Sequence, residues 1–214
     1  MINGTTKLGG VGHMRRWIFA LLVPLALAAC GAEKVYAPEA EVQQAVYRSD
    51  APPSITVLTV VSNSNGSGGH SALLINGSQR LIFDPAGTWH HPQIPERNDV
   101  HYGMKDAAVQ FYKEYHARET WHVVSQEIPV SADVAEQALR LVQAYGAVPK
   151  AYCTKANTDI LRQLSGFEGA PGTFYPVKLM EYVATLPNVT RTEYRDNSPA
   201  NNASINAPNL RSPG

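Results

Sequence analysis

The chain has 214 residues, room for one core-forming domain with extensions at either end. Hydrophobic residues make up 44% of it, too many for a chain without a packed core. Its 18 basic residues balance 18 acidic ones, which excludes the basic footprint of a nucleic-acid-binding domain.

Read from its start, the chain opens with a segment whose charged residues are Lys7, Arg15 and Arg16, all basic. The two arginines precede an apolar run from Trp17 to Leu27, with Pro24 near its end, and then Ala28, Ala29 and Cys30. A basic start, a short apolar run and small residues are the layout of a secretory signal, and the run is too short to span a bilayer comfortably. Met14, directly before the arginines, is the expected initiator. Without this leader, 15 basic residues face 18 acidic ones, a mildly acidic mature chain. The segment Leu27-Ala28-Ala29-Cys30 resembles the lipobox of bacterial lipoproteins. That resemblance implies cleavage before Cys30, a diacylglycerol on its thiol and acylation of the new amino terminus. More than one acyl chain is what durable anchoring requires. Gly31 stands where an aspartate would resemble an inner-membrane retention signal. The expected place is therefore the cell envelope, on the outer membrane facing the periplasm.

Residues 30–54 are rich in Ala, Glu, Gln and Pro and read as a tether. The domain is expected over 55–197. Ile55 to Val61 is β-branched and apolar, a buried strand. The Gly/Ser/Asn stretch Ser62 to Gly69 reads as a flexible loop. His70 to Ile75 is a second strand, Asn76-Gly77 a hairpin turn, and Arg80 to Asp84 a third strand ended by Pro85 and Gly87. Trp89 to Gly103 carries two prolines and no period, so a loop is expected. Met104 to Arg118 is a helix and Thr120 to Val130 a strand. Ser131 opens a helix whose apolar residues Val134, Ala138, Leu141, Val142 and Tyr145 recur at helical spacing. Gly146 and Pro149 end it. Another helix starts near Cys153, with Ile160, Leu161 and Leu164 inward. Pro176 to Thr185 is a short helix and Val189 to Tyr194 a strand. Residues 198–214, mostly Asn, Pro, Ser and Ala, read as a disordered tail. The class is α+β, an antiparallel sheet flanked by helices.

With Cys30 assigned to lipid, Cys153 is a lone thiol in an exported chain. A buried hydrophobe is the plain reading. Its position at the first turn of a helix offers another, because free N–H groups and the helix dipole there favour a thiolate. His70, at the start of a strand, is a candidate base to activate it. The rival cluster of His90, His91, His101 and Asp99 has the residue types of a zinc site. Adjacent histidines cannot both point inward from a strand, however, and no HExxH helix is present. No metal or other cofactor is therefore expected. His116 and His122 read as surface or strand-edge residues.

The order of "GGHSALLING" and, much later, "YCTKANTDIL" resembles the circularly permuted papain-like fold of the NlpC superfamily, which includes lecithin:retinol acyltransferase-like proteins. The resemblance implies Cys153 as nucleophile, His70 as base and a third, orienting residue on the strand after the hairpin. Side chains alternate along strands, and the hairpin's parity selects Asp84 for that place. The family often carries histidine there, so Asp84 departs in type. The backbone N–H of Cys153 would serve the oxyanion, and Tyr152 would line the site. The implied activity is a thiol hydrolase or acyltransferase acting on an amide or ester, with peptidoglycan peptides or a lipid as substrate. The alternative is a non-catalytic envelope lipoprotein that uses the same fold for binding.

Overall fold

The computed structural model describes residue 1, residues 31–202 and residues 205–210. The leader and Cys30 lie outside the described residues. The chain divides into two units, Met1–Gly31 and Ala32–Gly214, and the second holds the fold.

Seven strands form one antiparallel sheet: β1 (Ser54–Ser62), β2 (Gly68–Asn76), β3 (Arg80–Phe83), β4 (Glu96–Arg97), β5 (Val100–Tyr102), β6 (Trp121–Pro129) and β7 (Thr190–Arg195), in spatial order β4-β5-β3-β2-β1-β6-β7. Five helices are described: α1 (Glu39–Ala45), α2 (Asp106–His116), α3 (Ala132–Tyr145), α4 (Cys153–Leu161) and α5 (Pro176–Val183). The class is α+β, as expected. All nine residues of β1 are buried, because both faces of the sheet are covered. On one face Ile55, Val57, Leu73, Ile75, Leu81 and Phe83 pack with residues of α3, α4 and α5. On the other, Leu58, Val60, Ala72, Leu74 and Ile82 pack with α2 and Trp89. α3 is capped by Ser131, whose hydroxyl accepts from the Val134 N–H at 3.3 Å, and ends at Gly146 with φ of 89°.

Four local expectations differ. β2 begins at Gly68, so two residues of the supposed flexible loop are strand, and a bulge lies opposite Val60–Val61. A Cβ on Gly68 would stand 2.7 Å from that of Pro176, and one on Gly69 2.8 Å from the Trp121 ring. Both glycines are therefore close-packing residues. The supposed loop 89–103 contains the β4–β5 hairpin, whose turn residues Asn98 and Asp99 both have positive φ, 45° and 67°. The supposed tether contains α1, which buries Val42, while Val35 and Ala37 bond the backbone of Asn98 and Glu96. The segment after Ser198 is also packed where it is described: Pro208 O accepts from His91 Nε2 at 2.9 Å, and Asn202 accepts from the buried Arg118.

Candidate active site

The site forms where β3 stops. The pairing of β2 with β3 runs to Leu73↔Phe83, and one further step sets Ala72 opposite Asp84. Asp84 therefore shares a face with Ala72 and His70, diagonally across from the latter. Nε2 of His70 and Oδ1 of Asp84 are 2.6 Å apart. The same oxygen accepts from the Tyr112 hydroxyl of α2 at 2.7 Å. The carboxylate is fully buried, and its other oxygen faces Gly87, where a Cβ would lie 1.8 Å away. Only a glycine at that position leaves Asp84 room. It belongs to the turn Asp84-Pro85-Ala86-Gly87, closed by a 2.9 Å bond from Gly87 N–H to Asp84 O, with Ala86 at a φ of 56°.

Past the end of β3 the edge of β2 is taken over by α4. Asn157 Nδ2 donates to Ser71 O at 2.8 Å and to Ser71 Oγ at 3.1 Å. The Ser71 and Thr154 hydroxyls are 3.0 Å apart. This docking brings the first residue of α4, Cys153, to the same point. Its sulfur comes close enough to His70 and to the Ser71 N–H for both to draw its pKa down, and it lies 3.8 Å from the Thr154 hydroxyl. With Nε2 held by Asp84, Nδ1 is the His70 nitrogen left for the sulfur. The three residues expected from sequence thus meet as one chain of contacts, Cys153 to His70 to Asp84.

Electrostatics favour an ion pair. Burial alone would push the Cys153 thiol up, but the His70 hydrogen bond and charge, the Ser71 N–H and the Thr154 hydroxyl draw it down to about 7. Burial would likewise depress His70, yet the Asp84 charge and hydrogen bond, with Cys153, raise it to about 10. Burial works against ionised Asp84 too, and His70 overcomes it, so the carboxylate is held well below the usual range. Burial first, then Asp84, keeps the Tyr112 hydroxyl protonated and therefore a donor. Between about pH 7 and 10 the stable form is thiolate and imidazolium.

His116 also belongs to this site, contrary to its reading as a surface residue. Its ring stacks on His70 at 5.6 Å between centroids, and its Nδ1 donates to Tyr112 O at 2.9 Å. Burial, with the charge of His70 nearby, lowers it to about 4, so the stack carries one proton charge rather than two. Tyr112 and His116 are one helical turn apart on α2 and signal nothing individually. Only the packing of α2 on the β2 face brings them here. His122, by contrast, lies in β6 and bonds Asn63 at 2.6 Å.

Among the described residues, His70, Asp84 and His116 are the group whose ligand atoms cluster, within 4.8 Å. Ligands about 2.0–2.1 Å from a tetrahedral zinc sit roughly 3.3 Å apart. The 2.6 Å separation of His70 and Asp84 is instead a hydrogen bond. The rival sequence cluster is dispersed. Both ring nitrogens of His91 are bonded, to Pro208 O and Gln93 N–H. Asp99 accepts from Val148 N–H at 2.7 Å, and His101 packs edge-on against Trp89.

No protein-family model matches the chain, and no curated protein or solved structure does.

Proposed function

We propose that this protein is a lipid-anchored cell-envelope thiol hydrolase or acyltransferase that works on an amide or ester through Cys153, His70 and Asp84. The observation that carries the reading is His70 bonded to Asp84 at 2.6 Å and set beside the Cys153 sulfur, whose pKa it lowers. The order of a strand-borne histidine, a third residue after the hairpin and a later helix opening with cysteine also fits the permuted papain-like pattern. In the reaction this supports, the Cys153 sulfur attacks the carbonyl carbon and the C=O electrons move to oxygen. The N–H of Cys153, one of the unbonded amides of the first helical turn, faces that oxyanion. His70 gives its Nδ1 proton to the leaving amine or alcohol as the bond breaks, leaving a thioester. Water or another hydroxyl or amine, losing its proton to Nδ1, then releases the acyl group and restores the thiolate. Asp84 stays ionised and fixes the tautomer.

The test is the pH dependence of iodoacetamide labelling at Cys153, read by mass spectrometry on the folded protein. The thiolate fraction should rise through about pH 7, well below the midpoint of an unperturbed thiol, about 8.5. His70→Gln should move that midpoint up by at least a unit and abolish turnover. Glutamine suits better than alanine here, since losing the imidazolium with no donor in its place would leave the buried Asp84 charge to the Tyr112 hydroxyl alone, at a cost of about 3–5 kcal/mol. Labelling that appears only on denaturation would replace this reading with a binding function.

A further inference from the structure

Three of the large apolar side chains that the described residues leave exposed gather beside the nucleophile. Tyr152 is 47% exposed, Phe174 47% and Tyr175 71%. Scattered exposed apolar residues are ordinary, but a cluster marks a surface that something covers. Tyr152 immediately precedes Cys153, and its ring meets that of Phe174 edge to face at 5.0 Å. Tyr175 precedes α5, whose first residue, Pro176, packs on Gly68, two positions before His70. The aromatic segment is thus tied at one end to the start of the nucleophile's helix and at the other to the start of the base's strand.

Neither attachment is loose. Gly68 has no room for a Cβ beside Pro176. The turn Pro149-Lys150-Ala151-Tyr152 is closed by a 3.2 Å bond from Tyr152 N–H to Pro149 O, and Ala151 is held at a φ of 69°. A side chain in the left-handed region costs about 1–2 kcal/mol and persists where its surroundings demand it. The rings are therefore set by the same backbone that sets the catalytic pair. Tyr152 adjoins Cys153 in the chain, so the paired rings of Tyr152 and Phe174 stand at the nucleophile's end of α4.

We infer that Tyr152, Phe174 and Tyr175 form a specificity rim that selects substrates carrying an apolar group, an aliphatic chain or a ring, next to the scissile carbonyl. Resting on the thiol reading above, the inference names the substrate class of that same site. The edge-to-face pair presents one ring face and one ring edge, which suit dispersion contact with an apolar group.

The experiment compares three electrophiles on Cys153 of the whole chain: iodoacetamide, N-octyl iodoacetamide and N-phenethyl iodoacetamide. In each the sulfur displaces iodide and forms a C–S bond, so no turnover is needed. Rates are normalised to those of free cysteine. The wild type should react with at least one substituted reagent about tenfold faster than with iodoacetamide, the gain from burying roughly 55 Å² of apolar surface. The octyl and phenethyl arms tell an acyl-chain preference from an aromatic one. Tyr152→Ala and Phe174→Ala should each remove the preference, the ratio of substituted to plain reagent falling to that of free cysteine, and circular dichroism with thermal melting shows that they fold. Equal normalised rates in the wild type, or a preference that survives both variants, overturns the rim and leaves the dyad standing. Failure of all three reagents at neutral pH overturns the dyad itself, and the rim with it.

Discussion

Asp84 Oδ1 accepts from both His70 and Tyr112, and its partner oxygen rests against a glycine. Two donors distant in sequence hold one oxygen and the residue's own turn walls in the other, which lets a buried charge hold a second charge in place rather than lose its proton. Gly87 carries no chemistry, yet the structure makes it as restrictive as the acid. In Gly87→Ala the new methyl would meet Oδ2 at 1.8 Å, and backbone closed by the turn cannot yield as easily as the carboxylate. We expect Asp84 to be displaced from His70. The midpoint of Cys153 labelling should rise from about 7 toward the ordinary thiol value, with a stability loss of about 1–3 kcal/mol from overpacking. Chemical unfolding and the labelling profile measure the two effects separately. A destabilised variant whose labelling profile is unchanged would show that Asp84 does not govern the imidazole. The sequence pointed to Asp84 through the family resemblance, which implies a third residue on that strand, and through strand parity, which places it at Asp84. Gly87 was legible only as a turn residue, because its contact is set by a side-chain rotamer.

At the level of elements, local signals located most of the helices and strands to within two residues. β1, β3, α3 and α4 announce themselves by β-branched runs, a hairpin turn, a serine cap and helical spacing. The misses have particular causes. The β4–β5 strands are too short for a period, although Asn98-Asp99 between Arg97 and Val100 was a usable hairpin signal. Gly68 and Gly69 read as flexible because their partners, Pro176 and Trp121, are far along the chain. Asn157 was a missed clue of another kind. It lies one turn beyond Cys153, on the face that continues through Ile160, Leu161 and Leu164, a buried amide in an apolar stripe. Its bonds to Ser71 join α4 to the free edge of β2 and so set where Cys153 stands. Asn157→Ala leaves the Ser71 carbonyl unpaired, a cost of about 1–3 kcal/mol. It should also slow Cys153 labelling at pH 7, because the helix start is no longer pinned to the strand that carries His70. Matched stability loss with an unaltered labelling rate would reduce Asn157 to a packing role.

At the scale of the whole molecule, the proposed attachment at Cys30 and the proposed chemistry at Cys153 lie far apart in sequence. The proposed lipid is on Cys30, and the compact unit begins at Ala32, so the tether is shorter than the composition of residues 30–54 suggested. That stretch looked unstructured because α1 is seven residues long, too short to fold alone, and is stabilised by burying Val42. Its flanks supply further bonds: Arg97 Nε donates to Ala37 O at 2.7 Å, Arg80 N–H to Tyr47 O at 2.8 Å, and Asn76 Nδ2 to the carbonyls of Ala51 and Pro52 at 2.9 Å each. Two changes near this boundary should therefore behave oppositely. Cys30→Ala should release the protein from the membrane fraction and leave the pH profile of Cys153 labelling unaltered. A chain beginning at residue 55 should lose several kcal/mol, since burial of Val42 alone contributes about 1.5–3 and the bonds to Arg80, Arg97 and Asn76 go with it. Its Tm should fall by many degrees, and its Cys153 should label without regard to the folded-state pH profile. Fractionation, thermal melting and labelling on the two proteins decide the matter. A Cys30→Ala protein that stays membrane-bound would remove the lipid anchor. A chain from residue 55 as stable as the full one would return residues 35–53 to the role of a passive linker.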